Sequence, residues 1–312
     1  MVSRAGVEGS GVVVARGLGR RFGDIVAVAG LDLEVVRGEM FGVVGPDGAG
    51  KTTLLRLLAG VLRPTGGDAW IAGCSVTREP ESVKHRVAYM AQRFGLYEDL
   101  TVRENIEFYA DLYRVPMKKR PPRLERLFEF SQLGPFQHRL VGQLSGGMKQ
   151  KASLSCALIH HPEILLLDEP TFGVDPISRR DLWLILHEMV AEGVTVIVTT
   201  SYLDEAERCD RVALLHHGRT LALGRPAALL REHPGRVVAV RRPDRALRDR
   251  LRGLPAVRQA YLFGESIHVR LDEGTGDPAV LLASAGVRAD EVVAVAPSLE
   301  DLFLALTAEE PA

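Results

Sequence analysis

A glycine-rich segment between two apolar runs has the residue types and spacing needed to hold phosphate groups. It comprises Gly45, Pro46, Asp47, Gly48, Ala49, Gly50, Lys51, Thr52 and Thr53. An apolar run ending at Val44 precedes it and a leucine-rich run follows, which predicts a strand, a loop and a helix. The glycines allow successive backbone N–H groups to surround phosphate oxygens at the positive end of that helix. Lys51 would reach the β- and γ-phosphates and the Thr52 hydroxyl would hold Mg²⁺, so we predict a nucleotide-binding loop.

Two later segments carry groups that could act with this loop. The wholly apolar run Ile164–Leu167 reads as a central parallel strand that delivers Asp168 and Glu169 at its carboxyl end. Adjacent carboxylates at such a position are costly unless they have a function. Ser145, with two glycines behind it, opens a helical pattern and forms a second helix start suited to anions.

The composition limits the possible classes of protein. A chain of 312 residues predicts one large domain with a smaller one attached. With 39 basic and 40 acidic residues the chain has no net positive charge that would attract nucleic acid, and we expect no nucleic-acid partner. The three widely spaced cysteines form no disulfide framework, which indicates a reducing cytoplasm. No signal sequence or spanning apolar run of roughly 18 to 20 residues is evident, so any membrane-spanning part would be another polypeptide.

The order of elements predicts the domain organisation. Two antiparallel strands precede the loop strand, and a helical insert at about 93–160 begins with a capping box at Thr101 and Glu104. A hairpin with His216 and His217 at its tip closes the first domain, and we interpret both as solvated turn residues. We therefore expect a flexible N-terminus at 1–10, an α/β nucleotide-binding domain at 11–224 and an accessory domain at 225–312. The accessory domain has the ferredoxin-like order β-α-β-β-α-β and is of the α+β class.

Three motifs in order resemble those of the ATP-binding cassette (ABC) family. They are the phosphate loop, the run Leu144-Ser145-Gly146-Gly147, and the run from Leu165 to Pro170. The first is shared by many P-loop NTPases, whereas the Ser-Gly-Gly element before the aspartate is specific. The resemblance extends strongly from about Val12 to Gly224 and more weakly beyond. It implies a cassette with a parallel core sheet, antiparallel N-terminal strands and a helical subdomain.

The resemblance also implies residue roles. Asp168 would hold Mg²⁺ through water, and Glu169 would act as general base on the attacking water. Gln92 matches the glutamine that meets Mg²⁺ and that water, and Phe22 matches the aromatic residue that stacks on adenine. Asp175 matches a loop that crosses the interface between two cassettes. The metal ligands implied are Thr52, Gln92 and Asp168, the catalytic set is Lys51, Gln92, Glu169 and Ser201, and the remaining nucleotide contacts are Ser145, Gly146, Gly147 and Gln150.

Two positions depart from the family pattern. Asp47 stands where asparagine is common, which places a carboxylate near the phosphates. Ser201 stands where the family usually has histidine, so phosphate sensing is in doubt and hydrolysis could be slow.

The function implied is that of an ATP-hydrolysing subunit of a multidrug or antibiotic exporter. It would lie on the inner face of the cell membrane and act with a second cassette and an integral membrane permease. Two alternatives remain: a hydrolysis-impaired half of a heterodimer, which Ser201 favours and Glu169 opposes, and a soluble ABC ATPase outside transport.

Overall fold

The computed structural model describes residues 11–92, 95–232, 236–272 and 274–309. Within these ranges the chain forms two compact units that divide between Arg225 and Pro226. The predicted domain boundary between residues 224 and 225 lies one residue before this division. The predicted flexible segment at 1–10 lies outside the described residues. No helix in the described ranges is long and apolar enough to cross a membrane.

The first unit begins with an antiparallel sheet. Its order is β2-β1-β4-β5, with β1 at Gly11–Phe22, β2 at Ile25–Val36, β4 at Gly66–Ile71 and β5 at Cys74–Ser75. The polar residues Arg20 and Arg21 belong to β1, because bulges let them pair with β2 and Phe22 still lies opposite Ile25. The turn is therefore confined to Gly23 and Asp24.

A six-stranded sheet carries the residues of interest. Its order is β10-β9-β3-β8-β7-β6, with β3 at Met40–Val44, β6 at Val87–Met90, β7 at Ile164–Asp168, β8 at Thr195–Thr200, β9 at Arg211–His216 and β10 at Arg219–Gly224. All neighbours are parallel except the terminal β9–β10 hairpin. Strands β3, β7 and β8 are buried at every position, as expected for central parallel strands with both faces covered. Their carboxyl ends meet at one edge of the sheet.

Helices cover this sheet and form the insert. They are α1 at Lys51–Leu58, α2 at Pro80–Lys84, α3 at Val102–Leu112, α4 at Arg120–Ser131, α5 at Gly146–Leu158, α6 at Pro176–Ala191 and α7 at Leu203–Ala206. The predicted capping box opens α3, since Thr101 and Glu104 bond each other's backbone N–H groups. Short 3₁₀ turns at Met117–Lys119, Gly134–Phe136 and Val141–Gln143 connect the insert helices.

The second unit has a sheet and an apolar core of its own. Helix α8 at Pro226–Glu232 leads into β11 at Arg236–Val240, α9 at Arg245–Arg252, β12 at Val257–Phe263, β13 at Ser266–Leu271, α10 at Pro278–Ala283, a 3₁₀ turn at Ala289–Glu291, β14 at Val292–Ala294 and α11 at Leu299–Glu309. The antiparallel order β12-β13-β11-β14 is that of a ferredoxin-like sheet. Residues from α9, α10 and the strands form one buried apolar cluster.

Candidate nucleotide-binding site

The phosphate loop is built by the end of β3 and the start of α1. Gly50 caps α1 with a left-handed backbone (φ 103°), which glycine adopts without steric cost. A Cβ at Gly50 would also lie 2.2 Å from the carbonyl oxygen of Ala27. Glycine is therefore required at this position both by the backbone angle and by the close approach of β2.

Lys51 is held at the first position of α1 with its ammonium group inside the site. Its side chain is 5% exposed, and Nζ donates to the carbonyl oxygens of Gly45 and Pro46 at 2.7 and 3.1 Å. Nζ also lies 2.9 Å from Glu169 Oε1 in a buried ion pair and donates to Ser201 Oγ at 2.8 Å. The predicted phosphate-binding lysine and the predicted general base are thus in direct contact.

Oxygen atoms suited to Mg²⁺ meet beside this pair. Thr52 Oγ1 donates to Asp168 Oδ1 at 3.0 Å, and Thr199 Oγ1 donates to the same oxygen at 3.0 Å. Tyr89 donates to the other oxygen, Oδ2, at 3.2 Å, and burial raises the pKa of its phenol so that it remains a donor. A hydroxyl and a carboxylate are the hard ligands that Mg²⁺ prefers, and Gln92 would bring an amide oxygen, so the donor set fits that ion.

The backbone of Glu169 is itself unusual. Its φ is +48°, in a region that residues other than glycine rarely occupy. The surrounding structure must therefore hold Glu169 in this conformation. The backbone N–H of Glu169 donates to Thr199 Oγ1 at 2.9 Å, and Gln92 Nε2 donates to Glu169 Oε2 at 3.0 Å. One hydrogen bond therefore holds the backbone of Glu169 and another holds its carboxylate beside the phosphate loop.

Ser201 lies between the lysine and the carboxylate. Its Oγ accepts from Lys51 Nζ and donates to Glu169 Oε1, each at 2.8 Å. Asp47 Oδ1 lies 3.4 Å from the same hydroxyl, so the two residues that depart from the family pattern face each other.

Lys51, Thr52, Gln92 and Glu169 border one cavity of about 490 Å³. Its lining residues are Ile25, Val26, Ala27, Asp47, Gly48, Ala49, Gly50, Lys51, Thr52, Thr53, Gln92, Glu169, Phe172 and His217. His217 is exposed, as expected, but it also borders the cavity because the hairpin tip is bonded to the loop through Gly218 N–H and the Ala49 carbonyl at 3.0 Å.

Phe22 and Gln150, two predicted nucleotide contacts, lie outside the cavity lining. Phe22 is 44% exposed and lies outside the cavity lining, with the Arg20 guanidinium 4.5 Å above its ring. Its cross-strand partner Ile25 lines the cavity instead. Gln150 is 2% exposed, because its position three residues after Gly147 places it on the inner face of α5. This burial argues against a direct contact between Gln150 and a nucleotide.

The predicted interface residues lie together, apart from the cavity lining. Ser145 caps α5 by accepting from Met148 N–H, and Asp175 caps α6 by accepting from the N–H groups of Ile177 and Ser178. The bonds from Ser178 and Ile177 hold the pKa of Asp175 below its usual value. Gly147 packs against the start of α6, where a Cβ would lie 2.2 Å from Ser178 Oγ.

Several side chains of this site were not predicted from the sequence. Ile25, Val26 and Phe172 border the cavity, and Tyr89 and Thr199 hold Asp168. For Ile25 the sequence carries a usable signal, since an apolar residue directly follows the turn residues Gly23 and Asp24. In the structure its side chain is 71% exposed. The other four read as ordinary strand or loop residues.

The fold and this constellation define a P-loop nucleotide-binding protein of the cassette class. The chain belongs to the family of ABC transporter ATP-binding proteins, as relatives at least 35% identical over 96% of their own length show, and the family model described as "ABC transporter" matches residues 28–172.

The similar proteins are named as multidrug transporter, export or resistance ATP-binding proteins. The probable multidrug ABC transporter ATP-binding protein YbhF of Escherichia coli (strain K12) is 44% identical over 311 aligned residues, 96% of this chain. The chain spans only 54% of that relative's length. The Nod factor export ATP-binding protein I of Rhizobium sp. (strain N33) is 37% identical over 94% of this chain and 96% of its own length. The daunorubicin resistance ATP-binding protein DrrA3 of Streptomyces coeruleorubidus is 35% identical over 96% of both chains.

Solved structures share the fold over about 70% of this chain. The structure of an ATP binding subunit of an ABC transporter matches with a TM-score of 0.65 and 30% identity, covering 70% of this chain and 92% of its own. The ATP-binding cassette MJ0796, solved as a post-hydrolysis dimer bound to ADP and Pi, matches with a TM-score of 0.62 and 26% identity. That match covers 68% of this chain and 98% of the cassette.

Proposed function

We propose that this chain binds Mg²⁺-ATP and hydrolyses it to power efflux through a separate membrane permease. The observation that carries the proposal is the direct contact between Lys51 and Glu169 beside the Thr52–Asp168 oxygen pair, at one cavity. The export and resistance functions named for two of the relatives support the direction of transport.

Each group then has a chemical task. The Lys51 ammonium neutralises the β- and γ-phosphate oxygens, and the N-terminus of α1 adds its partial positive charge. Glu169 accepts a proton from the attacking water, while Gln92 and Ser201 keep its carboxylate oriented. Thr52, Asp168 and Gln92 hold Mg²⁺, which when bound neutralises charge that develops on the phosphates.

A second cassette completes the site. Ser145 and Gly146 are exposed and lie outside the cavity lining of their own chain, and Asp175 is exposed at the start of α6. Such groups would serve an opposing cassette, with two ATP molecules between the pair. The chain then works at the inner face of the membrane as the motor of a permease with its own spanning helices.

Lys51→Ala and Glu169→Gln test the hydrolytic assignment. Lys51→Ala should abolish tight ATP binding, because the ammonium acts on the ground state, whereas Glu169→Gln should retain binding and lose turnover. The matched control is Lys84→Ala with Glu81→Gln, an exposed ion pair at 2.6 Å on α2 that should leave both quantities unchanged. ATP binding by calorimetry and steady-state phosphate release separate the two effects. Parental turnover in Glu169→Gln would contradict the general-base assignment.

We further propose that turnover is slow because Ser201 replaces histidine. A histidine could contact the γ-phosphate and hold the attacking water in line, and loss of one oriented donor costs about 10² to 10³ in rate. Ser201→His should therefore raise steady-state turnover about tenfold or more. Brisk parental turnover that histidine does not change would remove the main support for the alternative, a hydrolysis-impaired half of a heterodimer.

The second unit is proposed as an accessory domain that touches no nucleotide. Its apolar core is made from its own residues, and the cavity is lined entirely by residues before Arg225. The remaining alternative, a soluble ABC ATPase, would show full turnover without any membrane subunit.

A further inference from the structure

A buried carboxylate outside the predicted site lies directly behind it. Glu205, in α7, has a side chain that is 1% exposed. Burying a charged carboxylate is costly unless hydrogen bonds or an opposite charge compensate it. The contacts that compensate Glu205 all come from segments that carry residues of the site.

One oxygen of Glu205 joins two of these segments. Oε2 accepts from Thr171 Oγ1 at 2.8 Å and from Thr200 Oγ1 at 2.7 Å. Thr171 follows Glu169 by two residues, in the turn where Phe172 N–H donates to the Glu169 carbonyl at 3.1 Å. Thr200 ends β8 immediately before Ser201.

The other oxygen faces the helix of the interface loop. Arg179 Nε lies 3.5 Å from Oε1, and the Arg179 guanidinium lies 4.4 Å above the Tyr202 ring. Arg179 is one helical turn from Asp175, since its N–H donates to the Asp175 carbonyl at 2.8 Å. Glu205 thus connects the turn after the general base, the end of β8 and the start of α6.

We propose that Glu205 is a positioning residue that holds Glu169, Ser201 and the Asp175 loop in one arrangement. The inference rests on the proposed ATP hydrolysis and assigns Glu205 no contact with the reacting atoms. Glu169 needs such support because its φ of +48° is disfavoured unless neighbouring structure fixes it. The hydroxyl of Thr171 fixes the turn on one side, and that of Thr200 fixes the segment bearing Ser201 on the other.

The decisive variant is Thr200→Val, which removes one donor to Glu205 while keeping the side-chain volume. Its matched control is Thr195→Val at the other end of β8. Thr195 is equally buried, and its Oγ1 accepts from Gly38 N–H at 3.0 Å, much as Thr200 Oγ1 accepts from Tyr202 N–H at 3.0 Å. Both variants lose a hydrogen bond accepted from a backbone N–H group, but only Thr200→Val also loses the hydrogen bond donated to Glu205.

Positioning predicts a specific set of results for the full chain, alone and with its membrane partner. Thr200→Val should lower kcat about 10-fold or more, with the Kd for ATP within about twofold of the parent. Thr195→Val should leave kcat unchanged, and Thr200→Ser, which keeps the hydroxyl, should restore it. Without nucleotide, hydrogen exchange at the Phe172 and Val174 amides should accelerate in Thr200→Val and not in the control.

Three outcomes overturn the inference. These are parental kcat in Thr200→Val, an equal loss of kcat in Thr195→Val, and unchanged exchange at both amides. Should Thr200→Val fail to fold, Thr171→Val carries the same comparison from the other donor. A parent chain that does not hydrolyse ATP would overturn the proposed function as well, whereas active parent and inactive Lys51→Ala with an unaffected Thr200→Val would overturn only the role of Glu205.

Discussion

Removing the Ser201 hydroxyl should slow ATP hydrolysis more than it weakens ATP binding. Ser201→Ala deletes the bond accepted from Lys51 Nζ and the bond donated to Glu169 Oε1, each at 2.8 Å, together with the longer contact to Asp47 Oδ1 at 3.4 Å. Hydrogen bonds to charged groups are worth about 1.5 to 3 kcal/mol each. Lys51 keeps the Gly45 and Pro46 carbonyls and the Glu169 carboxylate, so its position should change little. Only the bond to Glu169 bears on the general base, which corresponds to a loss of about 10- to 150-fold in kcat.

The assay is steady-state phosphate release at saturating Mg²⁺-ATP, with the Kd for ATP measured in parallel. The control is Ser284→Ala, which also loses a serine hydroxyl but lies exposed in the second unit, where Oγ donates to the Leu281 carbonyl at 2.9 Å. We expect the control to match the parent in both measurements. A Ser201→Ala variant with parental kcat would refute the reasoning, because it would show that the hydroxyl does not hold the carboxylate in the reacting state.

Three further predictions concern folding and the two units. Gly147→Ala should destabilise the first unit by about 1 to 3 kcal/mol, because the new methyl group would lie 2.2 Å from Ser178 Oγ. The control Gly146→Ala, whose new methyl group would have its nearest neighbour at 3.9 Å, should leave the stability nearly unchanged. Thermal denaturation measures both. Burial lowers the pKa of His160 to about 4 in the folded chain. As the pH falls below 6.5, His160 therefore takes up a proton in the unfolded chain before it does so in the folded one. The free energy of unfolding should fall by up to about 3 kcal/mol between pH 6.5 and pH 4. Urea titrations should show a flatter pH dependence for His160→Phe, and an unchanged one would contradict this. A chain that ends before Pro226 should fold and keep its ATP affinity in calorimetry, and loss of binding by a folded truncation would show that the second unit contributes to the site.

The features that the sequence predicted are those encoded within a few adjacent residues. The strand, loop and helix around Lys51 were predictable because the glycine spacing and the apolar runs are contiguous. The capping box at Thr101 and Glu104 was predictable for the same reason, and it is present. Such patterns need no knowledge of the rest of the chain.

The features that escaped prediction depend on contacts between distant segments. Nothing in the residues around Glu205 indicates that Thr171, 34 positions away, would share its carboxylate. The carboxylate of Glu169 was predicted, but its left-handed backbone was not, because that angle results from the surrounding turn. Gln150 was assigned to the nucleotide by motif position alone, and its burial on the inner face of α5 could not be read from that position.

The end of β8 shows how one strand can serve both the reaction and its support. Side chains alternate between the two faces of a strand, so Thr199 and Thr200 point in opposite directions. Thr199 contacts the Asp168 carboxylate and the Glu169 N–H, whereas Thr200 contacts Glu205 behind the site. A one-residue shift in the register of β8 would exchange these two hydroxyls and disconnect both carboxylates at once. The buried, wholly paired position of β8 between β3 and β7 prevents that shift, which is why a central strand is the suitable element to carry this double contact.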